Sequence, residues 1–298
     1  MRVLILGGAG MLGHKLWQLY KDRFDTWVTV RTDYRDYARF ALFDPRRMAD
    51  GVEACDFDSV VRVLDDVQPQ VIVNCIGIIK QLPTAHDPII SLTVNALFPH
   101  RLANLCRASQ VRLIHISTDC VFNGRQGRYT EDNVSDAEDL YGRSKYLGEV
   151  DAPGCLTLRT SIIGRELQTA SGLVEWFLSR RGQTVKGYRQ AIYSGFTTQA
   201  LARIIADVIE RQPELSGVYQ VSSEPITKYN LLQLIRAEMD LPIKIEADDT
   251  VRIDRSLNSA RFRLATGFTP PAWHEMIREM ARDATPYDRW RGIDQAGT

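Results

Sequence analysis

The chain has no excess of charge of either sign: 37 Lys and Arg stand against 37 Asp and Glu. A protein that binds nucleic acid by neutralising phosphates needs a basic surplus or stripe, so a nucleic-acid partner is not expected. Long apolar runs are missing too. The longest is about nine residues, where a bilayer crossing takes about 20, so no membrane partner is expected. Cysteines are few and scattered (Cys55, Cys75, Cys106, Cys120 and Cys155), with no C-x-x-C pair, which argues against a disulfide framework or a zinc knuckle. No metal-ligand cluster stands out, and no repeat or low-complexity segment points to a solenoid or propeller. The apolar stretch at the start lacks the length and cleavage site of a signal peptide, so the expected location is the cytoplasm.

What remains is an alternation. Aliphatic runs at 2–7, 26–31, 71–76, 111–117 and 156–159 read as strands, and helical patterns at 11–21, 59–67, 89–108 and 141–149 lie between them. Strands apolar on both faces and separated by helices imply a doubly wound parallel α/β sheet of the Rossmann type. Beyond about residue 160 the pattern loosens. Helices are expected at 198–211, 227–239 and 273–282, strands at 217–221 and 243–246, and a tail at 285–298 that is an edge or mobile. The expected organisation is a dinucleotide-binding domain at 1–160. A smaller α/β substrate lobe would follow at 161–298, with segments crossing back to the first.

Gly7, Gly10 and Gly13 bracket Met11 and Leu12 in a turn that follows the first strand and opens the first helix. Such glycines permit a tight turn, close approach to a pyrophosphate and close helix–sheet packing, and the helix N-terminus favours the phosphates. The second strand ends at Arg31, where a site for NAD would carry an acid. Arg31, with Arg35 nearby, could instead pair with a 2′-phosphate, which favours NADPH, while Asp33 keeps NADH open. Asp56 could accept a bond from an adenine amino group, or merely cap the next helix. Tyr141 and Lys145, four residues apart, share one helix face, so the ammonium is expected to lower the phenol's pKa. Thr118 stands at the carboxyl end of the fifth strand, where ligands of doubly wound sheets bind.

These residues, in this order, resemble an extended short-chain dehydrogenase/reductase over essentially residues 1–285. The matching pieces are GGAGMLG, Asn74-Cys75-Ile76-Gly77, Val94-Asn95-Ala96, Ser117–Phe122 and Tyr141 with Lys145. Within that superfamily, Ser-Thr-Asp-x-Val-Phe-x-Gly and Asn258-Ser259-Ala260-Arg261 most resemble dTDP-4-dehydrorhamnose reductases. The resemblance implies NADPH-dependent reduction of the keto group of a nucleotide-activated 4-keto-6-deoxy sugar, in deoxysugar and polysaccharide biosynthesis. It casts Tyr141 as proton donor, Lys145 as holder of the nicotinamide ribose and Thr118 as partner of the substrate carbonyl. Asn74, Ile76 and Gly77 would line the cofactor, and Asn95 lie near it.

Lys80, Asp119, Arg189, Arg255 and Arg261 are candidate substrate contacts. His14 is read as lying over the cofactor or exposed, and His115 as a bonded core histidine. Cys120 stands where related dehydratases carry a glutamate, which disfavours dehydration. A cysteine there also resembles GDP-fucose synthases, so an epimerase or epimerase–reductase is one alternative. A non-catalytic dinucleotide-binding regulator, similar to the regulatory subunit of methionine adenosyltransferase, is another. The expected partners are a nucleotide-sugar substrate and a second copy of the chain in a homodimer.

Overall fold

A computed structural model describes residues 1–291. Seven parallel strands form the central sheet: β1 (Arg2–Leu6), β2 (Asp25–Thr29), β3 (Met48–Ala49), β4 (Val71–Asn74), β5 (Arg112–Thr118), β6 (Cys155–Thr160) and β10 (Gly217–Gln220). Their spatial order is β10-β6-β5-β4-β1-β2-β3. The order reverses between β1 and β4, which opens a crevice at the carboxyl ends of the strands. Every position of β1 is apolar after Arg2 because both faces are covered. Val3 and Ile5 enter one core with Leu16, Trp17 and Tyr20 of α1 (Gly13–Tyr20) and Leu201, Ile205 and Ile209 of α7 (Thr198–Arg211). Leu4 and Leu6 enter the other, with Val60 and Val63 of α2 (Phe57–Val67) and Phe98 and Leu102 of α4 (Phe98–Ala108).

The helix expected at 89–108 is interrupted. α3 (Pro88–Leu92) passes into a π-helical turn at Thr93–Leu97 before α4 begins. Pro99 has no N–H to bond the carbonyl of residue 95, and the Phe98 N–H reaches back five residues to Thr93. The wider turn thus has a cause written four residues downstream of Asn95.

After α5 (Leu140–Leu147) and β6, the chain builds a second layer. β7 (Ile162–Ile163) pairs with β9 (Phe196–Thr197), and β8 (Thr184–Tyr193) lies between β11 (Ile226–Thr227) and β12 (Lys244–Asp254). Around them stand α6 (Leu173–Leu178), α8 (Lys228–Glu238), α9 (Ala260–Thr266), α10 (Trp273–Ala281) and α11 (Tyr287–Trp290). β10 lies within this stretch of sequence yet pairs with β6 in the first sheet. β12 runs far past the expected 243–246, because its Glu-Ala-Asp-Asp-Thr stretch is an exposed edge that backbone pairing with β8 holds in place. The expected edge or mobile tail is corrected over 287–290: it is a helix with Tyr287 buried. The rest of that tail, 292–298, lies outside the described residues.

Candidate functional site

The glycine turn opens beside β1. Gly7 has φ +85°, a left-handed conformation that favours glycine, and a Cβ on Gly13 would lie 2.2 Å from the Gly7 carbonyl oxygen. The Leu12 side chain is buried in the core, while the Met11 side chain leans on Gly172, just before α6. His14 is neither exposed nor free to cover a cofactor. It is fully buried, with Nδ1 2.8 Å from the Gly10 carbonyl and Nε2 2.8 Å from the Tyr287 hydroxyl. A carbonyl only accepts, so Nδ1 donates and the Tyr287 hydroxyl donates to Nε2. Burial lowers the His14 pKa to about 4, which keeps it neutral. α11 is thereby latched to the turn. Asp283 extends the latch by accepting from Lys15 (2.5 Å) and Gln199 (3.2 Å).

At the far end of the crevice, Arg31 is exposed just beyond β2 and forms no ion pair among the described residues. Arg35 grips Asp33 with both arms of its guanidinium, which occupies each of those alternatives. Asp56 precedes α2, but its carboxylate does not cap the helix; it lies 3.4 Å from Arg62 at the surface. The side chain of Asn74 is already spent: it donates to His115 Nδ1 (3.0 Å) and accepts from the Ile76 N–H (3.1 Å). Ile76 packs under Gly7, and a Cβ on Gly77 would lie 3.9 Å from Lys145 Nζ, so the strip after β4 runs from the glycine turn to the lysine.

The residues expected to react, Thr118, Tyr141 and Lys145, stand where β5 ends. Thr118 caps the single turn at Asp119–Val121, accepting from the Cys120 N–H (3.1 Å) and donating to Asp119 (3.2 Å). α5 starts on Asp139, whose carboxylate accepts from the Gly142 N–H (2.7 Å), and this presents Tyr141 and Lys145 on one face. Lys145 Nζ donates to the Ile116 carbonyl (2.7 Å), and burial lowers its pKa to about 8. The expected lowering of Tyr141 does not occur. Burial, then the neighbouring Cys120, raise the phenol, and a hydrogen bond with Thr118 only partly offsets this. The Cys120 thiol is likewise pushed up to about 12 by burial and by Asp119. Asp119 itself is raised by burial against the pull of Arg255.

Among the other candidates, Lys80 pairs with Asp139 (2.6 Å) and stands 5.4 Å from the Tyr141 ring centre. Arg255 donates to the Phe122 carbonyl (2.8 Å) beside Asp119. Arg189 and Arg261 are engaged elsewhere: Arg189 forks onto Asp249 at the surface, and Arg261 lies over the Tyr219 ring at 4.7 Å. Asn95 joins the loop after β4 to α5, accepting from the Ile78 N–H (2.8 Å) and donating to its carbonyl (3.1 Å) and to Ser144 (3.2 Å). Sequence reasoning missed the layer beneath, a buried Glu149–Arg159 pair (2.7 Å) whose carboxylate also accepts from Ser117 (2.7 Å). It also missed Tyr193, whose phenol is buried beside Asp119 and Cys120. No local signal marks either, since each is assembled across the sheet.

Three comparisons bear on this arrangement. A family model described as "RmlD substrate binding domain" matches residues 1–285. Among curated proteins, methionine adenosyltransferase 2 subunit beta of Danio rerio is 29% identical over 256 residues, covering 81% of this chain and 75% of that protein. A dTDP-4-keto-6-deoxy-D-glucose reductase of Streptomyces niveus is 32% identical over 149 residues, 50% of this chain and 46% of that one. Among solved structures, the dTDP-4-dehydrorhamnose reductase of Bacillus anthracis in complex with NADP superposes with a TM-score of 0.76 at 21% identity, covering 95% and 99% of the two chains.

Proposed function

Because the chain belongs to the RmlD substrate binding domain family, we propose that it reduces the 4-keto group of a nucleotide-activated 4-keto-6-deoxy sugar with NADPH. The observation that carries the reading is the meeting of Thr118, Tyr141 and Lys145 at the carboxyl edge of the sheet, at the end of a strip that begins at the glycine turn. That turn, with its left-handed Gly7 and buried Gly13, is a cradle side chains would fill, and it fits the pyrophosphate of a dinucleotide. Arg31, which forms no ion pair among the described residues, fits a 2′-phosphate. The reduced dinucleotide, when bound, supplies a hydride to the keto carbon. Tyr141, held protonated by burial, gives its proton to the carbonyl oxygen, and the nearby Lys145 ammonium favours the phenolate left behind. Thr118 turns its hydroxyl from Asp119 toward the same oxygen, and Lys80 and Arg255 flank the sugar.

Two findings bear on the alternatives. A thiol pushed up to about 12 rests as S–H, which does not favour Cys120 as the base of an epimerisation. The likeness to methionine adenosyltransferase 2 subunit beta supports a second reading, a dinucleotide-binding regulatory subunit. The deciding experiment follows reduced-cofactor absorbance with dTDP- and UDP-linked 4-keto-6-deoxy hexoses made in situ in D₂O. Oxidation without deuterium at C3 or C5, lowered about 10²–10⁴-fold in Tyr141→Phe with cofactor binding intact, is the expected result. Tight cofactor binding with no oxidation by any keto sugar overturns the reductase reading and favours the regulatory one.

A further inference from the structure

Beneath Thr118, Tyr141 and Lys145 lies a buried ion pair that the proposed chemistry does not use. Arg159 of β6 meets the Glu149 carboxylate with both arms of its fork: Nε lies 2.8 Å from one oxygen and Nη2 2.7 Å from the other. Ser117 of β5 donates a third bond to the same carboxylate at 2.7 Å. The Arg159 and Glu149 side chains are only 6% and 5% exposed. Taking two charges out of water is costly, and apolar residues of similar volume would fill the space at least as stably, so the pair calls for a reason beyond stability.

Position supplies that reason. Glu149 follows Lys145 just past the end of α5, and the two side chains hang from consecutive residues of β5. Lys145 donates to the Ile116 carbonyl (2.7 Å), and Glu149 accepts from the Ser117 hydroxyl. Burial lowers Lys145 to about 8, and two neighbours oppose this, first Glu149 and then Cys75. Cys75 stays a neutral thiol, because burial pushes it up to about 12. His115 is held neutral by burial and by Lys145 itself. One turn earlier on α5, burial keeps Tyr141 protonated. On the turn packed against that helix, Cys120 rests as a thiol and Asp119 accepts from Thr118. Lys80 and Asp139 pair with each other at the opposite end of α5, and His100 of α4 is bonded to the Leu147 carbonyl. Among the described residues, Glu149 is therefore the carboxylate that faces Lys145. Arg159 does not cancel it. The strand order β6-β5-β4 puts the guanidinium one strand farther out, whereas Lys145 leans toward Cys75, which follows β4.

We infer that Glu149 is a positioning residue that supplies the buried counter-charge of Lys145, fixed in place by Ser117 and Arg159, so that the lysine stays an ammonium near neutral pH. The inference deepens the reductase reading, in which that ammonium favours the Tyr141 phenolate. The chain has only seven lysines, so NMR of the full chain carrying ¹³C-labelled lysine can follow each titration, with Lys145→Met identifying the signal. The wild-type Lys145 midpoint is expected at about 8. In Glu149→Gln it should fall by about one pH unit or more, with Glu149→Asp returning part of the shift and the lysines of the second layer unmoved. Because Glu149→Gln leaves Arg159 unpaired, a double variant, Glu149→Gln with Arg159→Leu, removes both charges and should show the same fall. A Lys145 midpoint within about 0.3 unit of wild type in the folded double variant overturns the inference. With NADPH and the keto sugars, kcat should fall as pH rises through the Lys145 midpoint, and Glu149→Gln should move that limb to lower pH with little change in KM. A moved midpoint without turnover of any keto sugar leaves the inference standing and removes the reductase reading. Turnover with an unmoved midpoint does the reverse.

Discussion

The latch between His14 and Tyr287 makes a prediction whose size follows from its geometry. In Tyr287→Phe the ring stays and only the hydroxyl that donates to His14 Nε2 (2.8 Å) is lost. The buried nitrogen then has no donor, a penalty of about 1–3 kcal/mol. At about 2–4 °C per kcal/mol for a domain of this size, melting falls by several degrees. A second signature comes from pH. The His14 pKa is lowered by burial from 6.5 to about 4, so an unfolded chain takes up a proton below pH 6.5 that the folded chain refuses until about pH 4. Stability from this group is therefore complete above pH 6.5 and is lost as pH falls through that window, about 3 kcal/mol in all. Thermal melts of wild type, Tyr287→Phe and His14→Gln between pH 4 and 8 measure both effects. His115, also depressed by burial, contributes to every curve, so the difference between curves isolates His14. Equal acid slopes in wild type and His14→Gln, or an unchanged melting temperature in Tyr287→Phe, would refute the reasoning.

Two other expectations follow from the same geometry. Arg31→Ala should weaken NADPH binding about 10–100-fold and leave NADH nearly unchanged, since only the 2′-phosphate loses its charge-assisted partner. Fluorescence titration with both cofactors measures this, and parallel losses would show that Arg31 does not read the phosphate. Glu149→Gln leaves Arg159 buried without its counter-charge, and a cost of about 3–5 kcal/mol should appear in urea unfolding.

The site was only partly legible in the sequence. The glycine turn, the Tyr141–Lys145 pair and Thr118 could be located because each depends on spacing within one element, four residues on a helix or three on a turn. The roles of single side chains were less legible. Leu12, Asn74 and Asn95 belong to matching motifs, yet their side chains face the core or neighbouring backbone. Arg189 and Arg261 carry the right charge but meet Asp249 and Tyr219, partners 60 and 42 residues away in the chain.

By itself the sequence determined that a parallel sheet covered on both faces would form, because strands apolar at every position have no solvent face to offer. It marked the glycine turn between the first strand and the first helix, because glycines at that spacing permit a tight turn and close helix–sheet packing. Tertiary structure decided where charge and protons rest. It raised Tyr141 rather than lowering it, because burial and the neighbouring Cys120 outweigh a hydrogen bond with Thr118, while Lys145 donates to Ile116. It turned a polar tail into a latch by bringing Tyr287 to His14, and it returned β10 to the first sheet. Those outcomes depend on desolvation and on contacts between residues up to 273 positions apart, which no local pattern encodes.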